Sequence, residues 1–433
     1  MASDLSQAVD RDLAAMDVVD TDVAIIGAGP AGSAAAARLV RLGHRVHVVE
    51  RSHFPRFSIG ESLLPQSMAL LDEAGLLDTV HAAGYQPKNG AAFTRNGVNT
   101  AIDFRDKFTE GWGTTYQVER ADFDQRLIQA AAKQGAKVDF GVTVTAFHPD
   151  PERPRLSLVD EHGQTSTLSA RFVLDASGYG RVLARQLDLT RDPRLEPRMA
   201  LFTHVEDRID DPSYDREKIL IGVHPSDASI WYWLIPFANR RASVGVVGDA
   251  DTLNGYGDSR ASRWQALIDA EPRLHELLGD ARPIREVGEL KGYSADVTTL
   301  HGPGYALLGN AGEFLDPVFS SGVTVALRSA SMAAPLVDRQ LRGETIDWQS
   351  EFEAPLREGV DTFRAYVDTW YDGQLQSIVF HDAQPADLKR MISAVLAGYA
   401  WDRDNPFASA PRKHLATLAQ LCGHSTSPGF TAQ

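Results

Sequence analysis

The stretch that decides the fold is DVAIIGAGPAGSAAAARLVRLGHRVHVVE, residues 22–50. It opens with the apolar run Val23–Ile26, which has the length and composition of a buried parallel strand. The segment 27–32 then fits G-x-G-x-x-G, and the alanine-rich segment 33–42 favours a helix. A second apolar strand follows and ends on Glu50. Strand, glycine turn, helix, strand and acid occur here in the order of a dinucleotide-binding unit.

Each part of this unit has a physical task in holding a dinucleotide. Glycines permit a tight turn and let backbone amide groups approach a pyrophosphate at the N-terminus of the helix. The acid at the end of the second strand is placed to accept hydrogen bonds from a ribose. The pattern itself does not distinguish NAD from FAD. The residues expected to contact the dinucleotide are Gly27, Gly29, Pro30, Ala31, Gly32 and Glu50.

Length and composition describe a globular chain of two closely packed domains. Of the 433 residues, 43% are hydrophobic and 23% are charged, and the net charge of -15 argues against nucleic acid as the main partner. Cys422 is the only cysteine, which excludes an internal disulfide and favours a cytoplasmic location. The histidines do not group at metal-binding spacing, so we expect no metal. Residues 1–19 are predicted to form a flexible leader, and no apolar run reaches the ~18 residues of a membrane span.

The order of apolar patterns predicts an α/β fold with two intertwined domains and a helical C-terminal region. The nucleotide-binding, Rossmann-like domain is assigned to residues 20–84, 116–197 and 291–345. An inserted antiparallel β-sheet domain for the substrate is assigned to residues 85–115 and 198–290, and the helical region to residues 346–433. Within the first domain, the patterns predict continuous strands over residues 137–147 and 167–174.

This layout resembles the FAD-dependent monooxygenases of the hydroxybenzoate hydroxylase type. The resemblance implies that the cofactor is FAD and that two further segments contact it: the strand end at Asp175 and a Gly-Asp pair in the third segment. Here the pair reads Gly309-Asn310. An asparagine can still hydrogen-bond a ribityl hydroxyl, although the same pair would also serve as a simple turn at the end of a strand.

The string WYWLIP, residues 231–236, fits W-x-W-x-I-P. In a strand, alternation places Trp231 and Trp233 on one face, and Pro236 ends the strand. Two indoles on one face also suit a hydrophobic core without any role in catalysis. The complete string resembles the signature of the FADH2-dependent halogenases. In that family the two tryptophans lie near the flavin and hinder its use for direct monooxygenation of the substrate.

A second string, residues 314–322, fits the halogenase motif F-x-x-P-x-x-S-x-G. It ends where a long apolar helix begins, and free amide groups at a helix N-terminus attract an anion. A serine at this place is also simply a preferred helix cap. The resemblance assigns Ser321 and Gly322 to the halide. Phe319 stands where tryptophan halogenases carry a glutamate, which points away from free tryptophan as the substrate. The flavin contacts expected in this segment are Pro317, Ser320, Gly322 and Val323.

Lys88 lies in the segment GYQPKNGAAF, residues 84–93, where the resembling halogenases place their essential lysine. A lysine that follows a helix is usually solvated and has no catalytic role. An apolar loop bounded by glycines would instead bury the amine and favour its neutral form. A neutral amine can capture or polarise hypohalous acid. The resemblance therefore implies that Lys88 is the catalytic residue.

The loop FPRFSIGESLLP, residues 54–65, resembles the loop beside the flavin in halogenases that act on phenols and pyrroles. Tryptophan halogenases carry a different sequence at this place. The further cofactor contacts implied by the resemblance are Arg51, Ser58, Gly60, Glu61, Ser62 and Arg120.

The resemblance implies a flavin-dependent halogenase, an oxidoreductase that uses FADH2, O2 and either chloride or bromide. Its substrate would be an electron-rich phenolic or pyrrolic ring, free or tethered to a carrier protein, and hypohalous acid would reach it by way of Lys88. Because the chain has a single dinucleotide fingerprint, we expect a separate flavin reductase as a partner. The alternative is an FAD-dependent aromatic monooxygenase or reductase that uses NAD(P)H directly, and a third possibility is a flavoprotein that has lost turnover. The aromatic C-terminal helices would cover the substrate cleft or only cap the core.

Overall fold

The computed structural model describes residues 18–279, 281–381 and 385–424. At its centre lies a six-stranded sheet whose strands come from three separate stretches of the chain. Neighbouring strands run parallel, except at the edge where the last two in sequence pair antiparallel. In spatial order the strands are His301–Gly302, Tyr305–Leu307, Phe172–Asp175, Val23–Ile26, Val46–Glu50 and Lys137–Phe140.

The central strands of this sheet are buried on both faces, as a parallel sheet between other layers requires. Every residue of Val23–Ile26 and of Phe172–Asp175 is buried. Helix Pro30–Arg41 follows the first of these strands and packs against helices Arg120–Gln134 and Ser321–Leu341. Pro30 suits the first turn of its helix, because its φ is already helical and its missing N–H is not needed there. The predicted α/β architecture is confirmed.

A second, eight-stranded sheet is mostly antiparallel and joins strands from the two β-rich segments. Lys218–Val223 pairs parallel with Gly90–Arg95, and this pairing unites the two segments in one sheet. We propose that the changes from one sheet to the other mark the predicted domain boundaries. In spatial order the strands are Arg282–Pro283, Met199–Glu206, Arg241–Gly248, Trp231–Pro236, Lys218–Val223, Gly90–Arg95 and Val98–Asp103, with Gly288–Lys291 paired beside Met199–Glu206.

Two predicted strands are each divided between the six-stranded sheet and a separate four-stranded sheet. Residues 137–147 do not form one strand, because Gly141 has a φ of +72° that breaks the extended conformation. The chain changes sheet at this glycine, and it does so again at Ala170 within the predicted strand 167–174. The strands of the four-stranded sheet are Val18–Asp20, Thr165–Ser169, Arg155–Asp160 and Val142–His148.

The first described residues of the chain also differ from the prediction. Val18–Asp20 pairs parallel with Thr165–Ser169 at the edge of the four-stranded sheet. The predicted flexible leader is therefore wrong for residues 18 and 19, which backbone pairing holds in an extended conformation. The rest of that prediction, residues 1–17, lies outside the described residues.

The C-terminal region is helical, as predicted. Helix Ala354–Tyr371 is buried along most of its length and packs on helices Gln374–Val379 and Pro411–Leu421. It also contacts the turn Pro317–Phe319, which belongs to the second halogenase-like string. The other helices of this region are the π-helix Gln349–Glu353 and the helices Ala386–Leu396 and Pro406–Ser409.

Shorter elements connect these layers. None of the helices formed by the described residues combines the length and apolarity that a bilayer crossing requires. The remaining helices and helical turns are Gln66–Glu73, Leu77–His81, Gly178–Gly180, Val182–Gln186, Ala250–Asn254, Arg260–Ala270, Pro272–Leu278 and Gly309–Ala311. The remaining strands are Gln86–Lys88 paired with Thr115–Gln117, and Thr190–Arg191 paired with Asp296–Val297.

Candidate active site

A cavity of about 390 Å³, the main cavity, lies between the six-stranded and the eight-stranded sheets. The turns that follow strands Val23–Ile26 and Val46–Glu50 form one part of its wall, and strand Trp231–Pro236 contributes another. A crevice at the carboxyl ends of parallel strands is where open α/β sheets bind their ligands. The predicted cofactor residues that line it are Gly27, Gly29, Pro30, Ala31, Glu50, Arg51, Ser58, Gly60, Glu61, Ser62, Arg120, Asn310, Pro317, Ser320, Gly322 and Val323.

The turn after the first strand can be built only with glycine at two of its positions. Gly27 has a φ of +97°, and an added Cβ would lie 2.6 Å from the carbonyl oxygen of Ala176. A Cβ at Gly32 would overlap the carbonyl oxygen of Gly27 itself. The two glycines therefore bring the helix, the turn and the neighbouring strand end into close contact. This packing leaves the backbone of Gly29 free to line the cavity.

Glu50 fixes the same turn from the second strand. Its Oε2 accepts a hydrogen bond from the Ala28 amide at 2.9 Å, and its Oε1 accepts one from the Ser52 amide at 3.0 Å. Each carboxylate oxygen retains a second lone pair. Glu50 is buried and lines the cavity, so its oxygens can also accept hydrogen bonds from a ribose.

Arg120 holds the loop 54–65 against the cavity. Its guanidinium donates to both oxygens of Asp124, at 2.7 and 2.9 Å, and to the carbonyl oxygen of Ile59 at 2.8 Å. Burial disfavours the charged guanidinium, but the Asp124 carboxylate outweighs that effect and raises the pKa of Arg120. Arg56, which sequence reasoning missed, lines the cavity as well and lies 3.2 Å from the same carboxylate.

Glu61 pairs with a histidine that no sequence pattern indicated. The carboxylate is buried, and His204 Nε2 lies 2.9 and 3.0 Å from its two oxygens. His204 comes from strand Met199–Glu206 of the eight-stranded sheet. The pair therefore joins the cavity loop to the second sheet across 143 positions of sequence.

Three predicted cofactor contacts do not line the cavity: Gly32, Asp175 and Gly309. Asp175 is fully buried, and its carboxylate accepts hydrogen bonds from the amides of Ser177 and Leu183, at 2.9 and 2.7 Å. Burial raises the pKa of Asp175. Its task is to shape the segment 176–180, which does line the cavity. Gly309 donates its amide to the Ser329 hydroxyl and packs the strand end against the long helix.

Two unsatisfied polar atoms test whether the main cavity fits FAD. Within the described part of the chain, Asn310 Oδ1 and Ser62 Oγ are buried without a hydrogen-bond partner, and both residues line the cavity. Buried polar atoms in native proteins are nearly always hydrogen-bonded, so these two atoms fit a ligand that bears polar hydrogens. The ribityl hydroxyls and ring nitrogens of FAD are such groups. The donors and acceptors of this cavity therefore suit the cofactor that its loops suggest.

The two tryptophans of the WYWLIP string line the main cavity, as their alternation predicted. Their ring centroids lie 5.8 Å apart and the ring planes are inclined by 44°. Trp233 donates its indole N–H to Ser243 Oγ at 3.0 Å, and Trp231 donates its own to the hydroxyl of Tyr371 at 2.8 Å. Pro236, the last residue of the string, ends the strand as predicted and does not line the cavity.

The turn of the second string approaches the cavity beside these tryptophans. Asp316 accepts the amide of Val318 at 3.0 Å and so caps the turn Pro317–Phe319. Ser320 then takes a left-handed conformation with φ +56°, which is uncommon for a residue other than glycine and recurs at functional sites. Helix Ser321–Leu341 begins immediately after it. Gly322 lines the main cavity, whereas Ser321 is buried and does not.

A second cavity, the lysine cavity, contains Lys88. It is small, about 10 Å³, and almost entirely apolar. Lys88 lies in strand Gln86–Lys88 and not in a loop, and its side chain is buried. Its Nζ donates to the Leu63 carbonyl oxygen at 2.8 Å and lies 5.4 Å from the centre of the Phe104 ring. Burial lowers the pKa of Lys88 to about 7, so the neutral amine is populated near neutral pH.

The two cavities meet at a common partition. Ile219 and Ser320 line both of them, whereas Phe319 lines only the lysine cavity. Ile219 was missed by sequence reasoning, because an isoleucine in a buried strand carries no local mark of a functional role. The shared residues place the lysine cavity next to the main cavity. The residues around it are Leu64, Ala91, Phe93, Phe104, Ile221, Val318 and Leu396.

No group of histidine, cysteine, aspartate and glutamate side chains among the described residues could hold a metal ion. The polar side chains at the main cavity instead form pairs and caps that shape loops.

The fold and this cavity define a flavin-binding protein of the FAD-dependent monooxygenase type. Residues 20–285, more than half of the chain, match the family described as FAD binding domain. The chain belongs to that family, and the predicted cofactor FAD is confirmed. Relatives of the chain are flavin-dependent halogenases, which confirms the resemblance that the two strings indicated.

Two relatives and one solved structure illustrate this similarity. The tryptophan 2-halogenase of Chondromyces crocatus is 32% identical over 361 residues, which cover 77% of this chain and 64% of that protein. The 1H-pyrrole-2-carbonyl-(peptidyl-carrier protein) chlorinase of Pseudomonas fluorescens is 29% identical over 380 residues, 81% of this chain and 84% of that protein. The crystal structure of a flavoprotein/dehydrogenase from Cytophaga hutchinsonii is 41% identical, with a TM-score of 0.91, and covers 94% of this chain and 99% of that one.

Proposed function

We propose that this chain is a flavin-dependent halogenase in which FAD occupies the main cavity and Lys88 delivers the halogen to the substrate. The observation that carries the proposal is the arrangement of the two cavities, with a buried amine on the far side of Ile219 and Ser320 from the flavin site. Transfer of oxygen or hydride at a flavin requires the substrate beside the flavin. A buried lysine behind a partition would then have no task.

When bound, reduced FAD supplies the reaction with O2 that oxidises a halide ion to hypohalous acid. The protein positions this cofactor. Amide groups of the turn around Gly29 are placed for the pyrophosphate, and Glu50 for the adenosine ribose. At the flavin half of the molecule, the unpaired Oδ1 of Asn310 would accept a hydrogen bond, and the Ser62 hydroxyl would accept or donate one.

The halide is proposed to bind at the start of helix Ser321–Leu341, on the amides of Ser321 and Gly322. The first amides of a helix have no partner within the helix, and its positive end favours an anion. Gly322 and its neighbours line the main cavity, so this helix start adjoins the proposed flavin site. Trp231 and Trp233 are buried and form the adjoining wall of the main cavity.

Lys88 is proposed to receive the hypohalous acid that passes Ile219 and Ser320. Its neutral amine carries a lone pair that either accepts a hydrogen bond from the acid or attacks its halogen. In the second case an N–X bond forms and the X–O bond breaks, and the departing hydroxide takes a proton from the amine nitrogen and leaves as water, so that a haloamine remains. The surrounding apolar side chains exclude water, which protects this electrophile from solvent until it meets the ring.

The proposed substrate is an electron-rich phenolic or pyrrolic ring. One relative is named for tryptophan, whose side chain is an indole, and the other for a pyrrole bound to a carrier protein. Both rings are electron-rich. Phe319 at the lysine cavity offers an apolar edge and no carboxylate to a charged amino group. A cavity of about 10 Å³ is too small for a ring, so side chains that line it, Leu396 among them, would have to move to admit the substrate. A carrier protein that presents the ring and a separate flavin reductase are the proposed partners.

The second candidate is an FAD-dependent monooxygenase or reductase that uses NAD(P)H directly. The observation that favours it is the volume of the lysine cavity, which at about 10 Å³ does not hold an aromatic ring. The solved structure from Cytophaga hutchinsonii, described as a flavoprotein/dehydrogenase, is consistent with it. In that case the substrate would share the main cavity with the flavin.

Product mass decides between the two. The protein is incubated with FAD, a flavin reductase, NADH, chloride or bromide, and a panel of phenols, pyrroles and indoles, free and as carrier-protein thioesters. We expect a product that is heavier by one halogen and absent without halide or in the Lys88→Met variant. A gain of one oxygen, or rapid bleaching of the flavin by NADH without the reductase, would establish the second candidate instead.

A further inference from the structure

A hydrogen-bond network links helix Ala354–Tyr371 to the two halogenase-like sequence strings, residues 231–236 and 314–322, that flank the main cavity. The Trp231 indole N–H donates to the hydroxyl of Tyr371 at 2.8 Å, and that hydroxyl donates to Asp316 Oδ2 at 2.9 Å. Trp231 belongs to the first string and Asp316 to the second, whereas Tyr371 is the last residue of helix Ala354–Tyr371. One hydroxyl therefore connects three separate parts of the chain.

Both carboxylate oxygens of Asp316, the acceptor in this network, accept hydrogen bonds. Oδ2 of Asp316 also accepts the hydroxyl of Tyr293 at 3.0 Å, while Oδ1 caps the turn through the amide of Val318. Asp316 is buried, so each of these bonds replaces hydration that the carboxylate has lost. Its position consequently determines where the turn before Ser320 lies.

The tyrosine is held from the other side as well. The guanidinium carbon of Arg198 lies 3.6 Å from the centre of the Tyr371 ring, in a cation–π arrangement. With the ring fixed in this way, the hydroxyl can bridge donor and acceptor only in one place. The bridge gives the buried indole N–H of Trp231 a hydrogen-bond acceptor, which a buried polar group requires.

We infer that Tyr371 is a positioning residue that sets Trp231 and the turn before Ser320 at a fixed distance from each other. This inference rests on the proposed function, because its consequence is for the halide that is assigned to the end of this turn. Without the hydroxyl, Trp231 loses its acceptor and the carboxylate that caps the turn loses one of its donors. The halide site then widens or shifts relative to the flavin, while the cofactor loops on the six-stranded sheet stay as they are.

The test is a Tyr371→Phe variant, which keeps the ring over Arg198 and removes only the hydroxyl. One net hydrogen bond corresponds to roughly a fivefold change in an equilibrium constant. We expect the KM for bromide to rise about fivefold while kcat at saturating bromide falls less than about twofold. Tyr305→Phe, which removes a hydroxyl from strand Tyr305–Leu307 of the six-stranded sheet, is the matched control and should leave the KM for bromide unchanged. An unchanged KM in Tyr371→Phe would overturn the inference.

A double-mutant cycle separates this inference from the proposed function. If Tyr371 and Trp231 act through one hydrogen bond, the melting-temperature losses of Trp231→Phe and Tyr371→Phe are not additive in the double variant. Additive losses would overturn the positioning role even in an active halogenase. If no bromide-dependent product forms but the melting-temperature losses are not additive, the proposed function is wrong, whereas the coupling of Tyr371 to Trp231 stands.

Discussion

The amine of Lys88 donates to the backbone carbonyl oxygen of Leu63 at 2.8 Å, and no carboxylate among the described residues is paired with it. A carbonyl satisfies one donor of an ammonium but does not compensate its charge. Burial therefore dominates and lowers the pKa of Lys88 from 10.5 to about 7. The same burial that hides this lysine from solvent therefore favours the neutral form of its amine.

The first prediction concerns the pH dependence of halogenation. Because the proposed role needs the neutral amine, the halogenated product formed per hypohalous acid should rise from about pH 6 to about pH 8 and then level off. The measurement is product yield at fixed flavin turnover across this range. A yield that is flat in pH, or that falls as the pH rises, would remove the neutral amine from the mechanism.

Stability should show the same titration independently of activity. Between the folded pKa of about 7 and the usual 10.5, the unfolded chain binds a proton at Lys88 that the folded chain does not. The free energy of unfolding contributed by this residue therefore rises with pH across that window, by about 1.4 kcal/mol per pH unit. Urea unfolding of wild type and Lys88→Met at several pH values measures this. The amount by which the free energy of unfolding of Lys88→Met exceeds that of wild type should be greatest at the lowest pH of the series.

The second prediction compares two glycines with nearly the same backbone conformation. Gly27 has φ +97° and Gly43 has φ +94°, but an added Cβ meets Ala176 only at Gly27. At Gly43, no atom of the described residues beyond its chain neighbours lies within 4 Å of that Cβ. Gly43→Ala should cost about 1 kcal/mol of stability and keep FAD affinity, whereas Gly27→Ala should cost more and abolish FAD binding. Equal effects of the two substitutions on FAD binding would contradict the close-packed turn.

The third prediction uses the unpaired oxygen of Asn310. Asn310→Leu removes the acceptor and should weaken FAD binding about fivefold, as the loss of one net hydrogen bond does. Asn310→Asp keeps an acceptor oxygen and should stay within about twofold of wild type. Titration of the apoprotein with FAD, followed by flavin fluorescence, gives both dissociation constants. Wild-type affinity in the leucine variant would mean that this oxygen does not face the cofactor.

Local patterns predicted the parts of the fold that depend on neighbouring residues. The run Val23–Ile26, its glycine turn and Glu50 lie where the sequence places them, because buried strands and tight turns have strong local signals. The single strand predicted over 137–147 was wrong because the local pattern does not mark the point where the strand ends. Alternation continued through Gly141, and only its backbone conformation sends the chain into another sheet.

The pairs that build the site were beyond local patterns. His204 reaches Glu61 over 143 positions and Tyr371 reaches Trp231 over 140 positions, so no spacing rule links either pair. Asp175 shows the opposite limit. Its place at a strand end suggested a cofactor contact, but the carboxylate turns inward to the amides of the following turn. A sequence indicates which face a residue occupies more readily than which partner it meets.

The last prediction tests the partition between the two cavities. Ile219 lines both, so Ile219→Phe should narrow the passage that hypohalous acid would use, whereas Ile219→Val should leave it open. Overpacking by phenylalanine costs roughly 1–3 kcal/mol and the valine change about 1 kcal/mol, so both variants are assayed well below their melting temperatures. We expect the phenylalanine variant to oxidise reduced flavin and release hypohalous acid to a diketone trap, while the halogenated substrate falls about tenfold. The valine variant should halogenate at the wild-type level. If the phenylalanine variant also halogenates at that level, the acid does not pass between Ile219 and Ser320, and the link between flavin and Lys88 must be sought elsewhere.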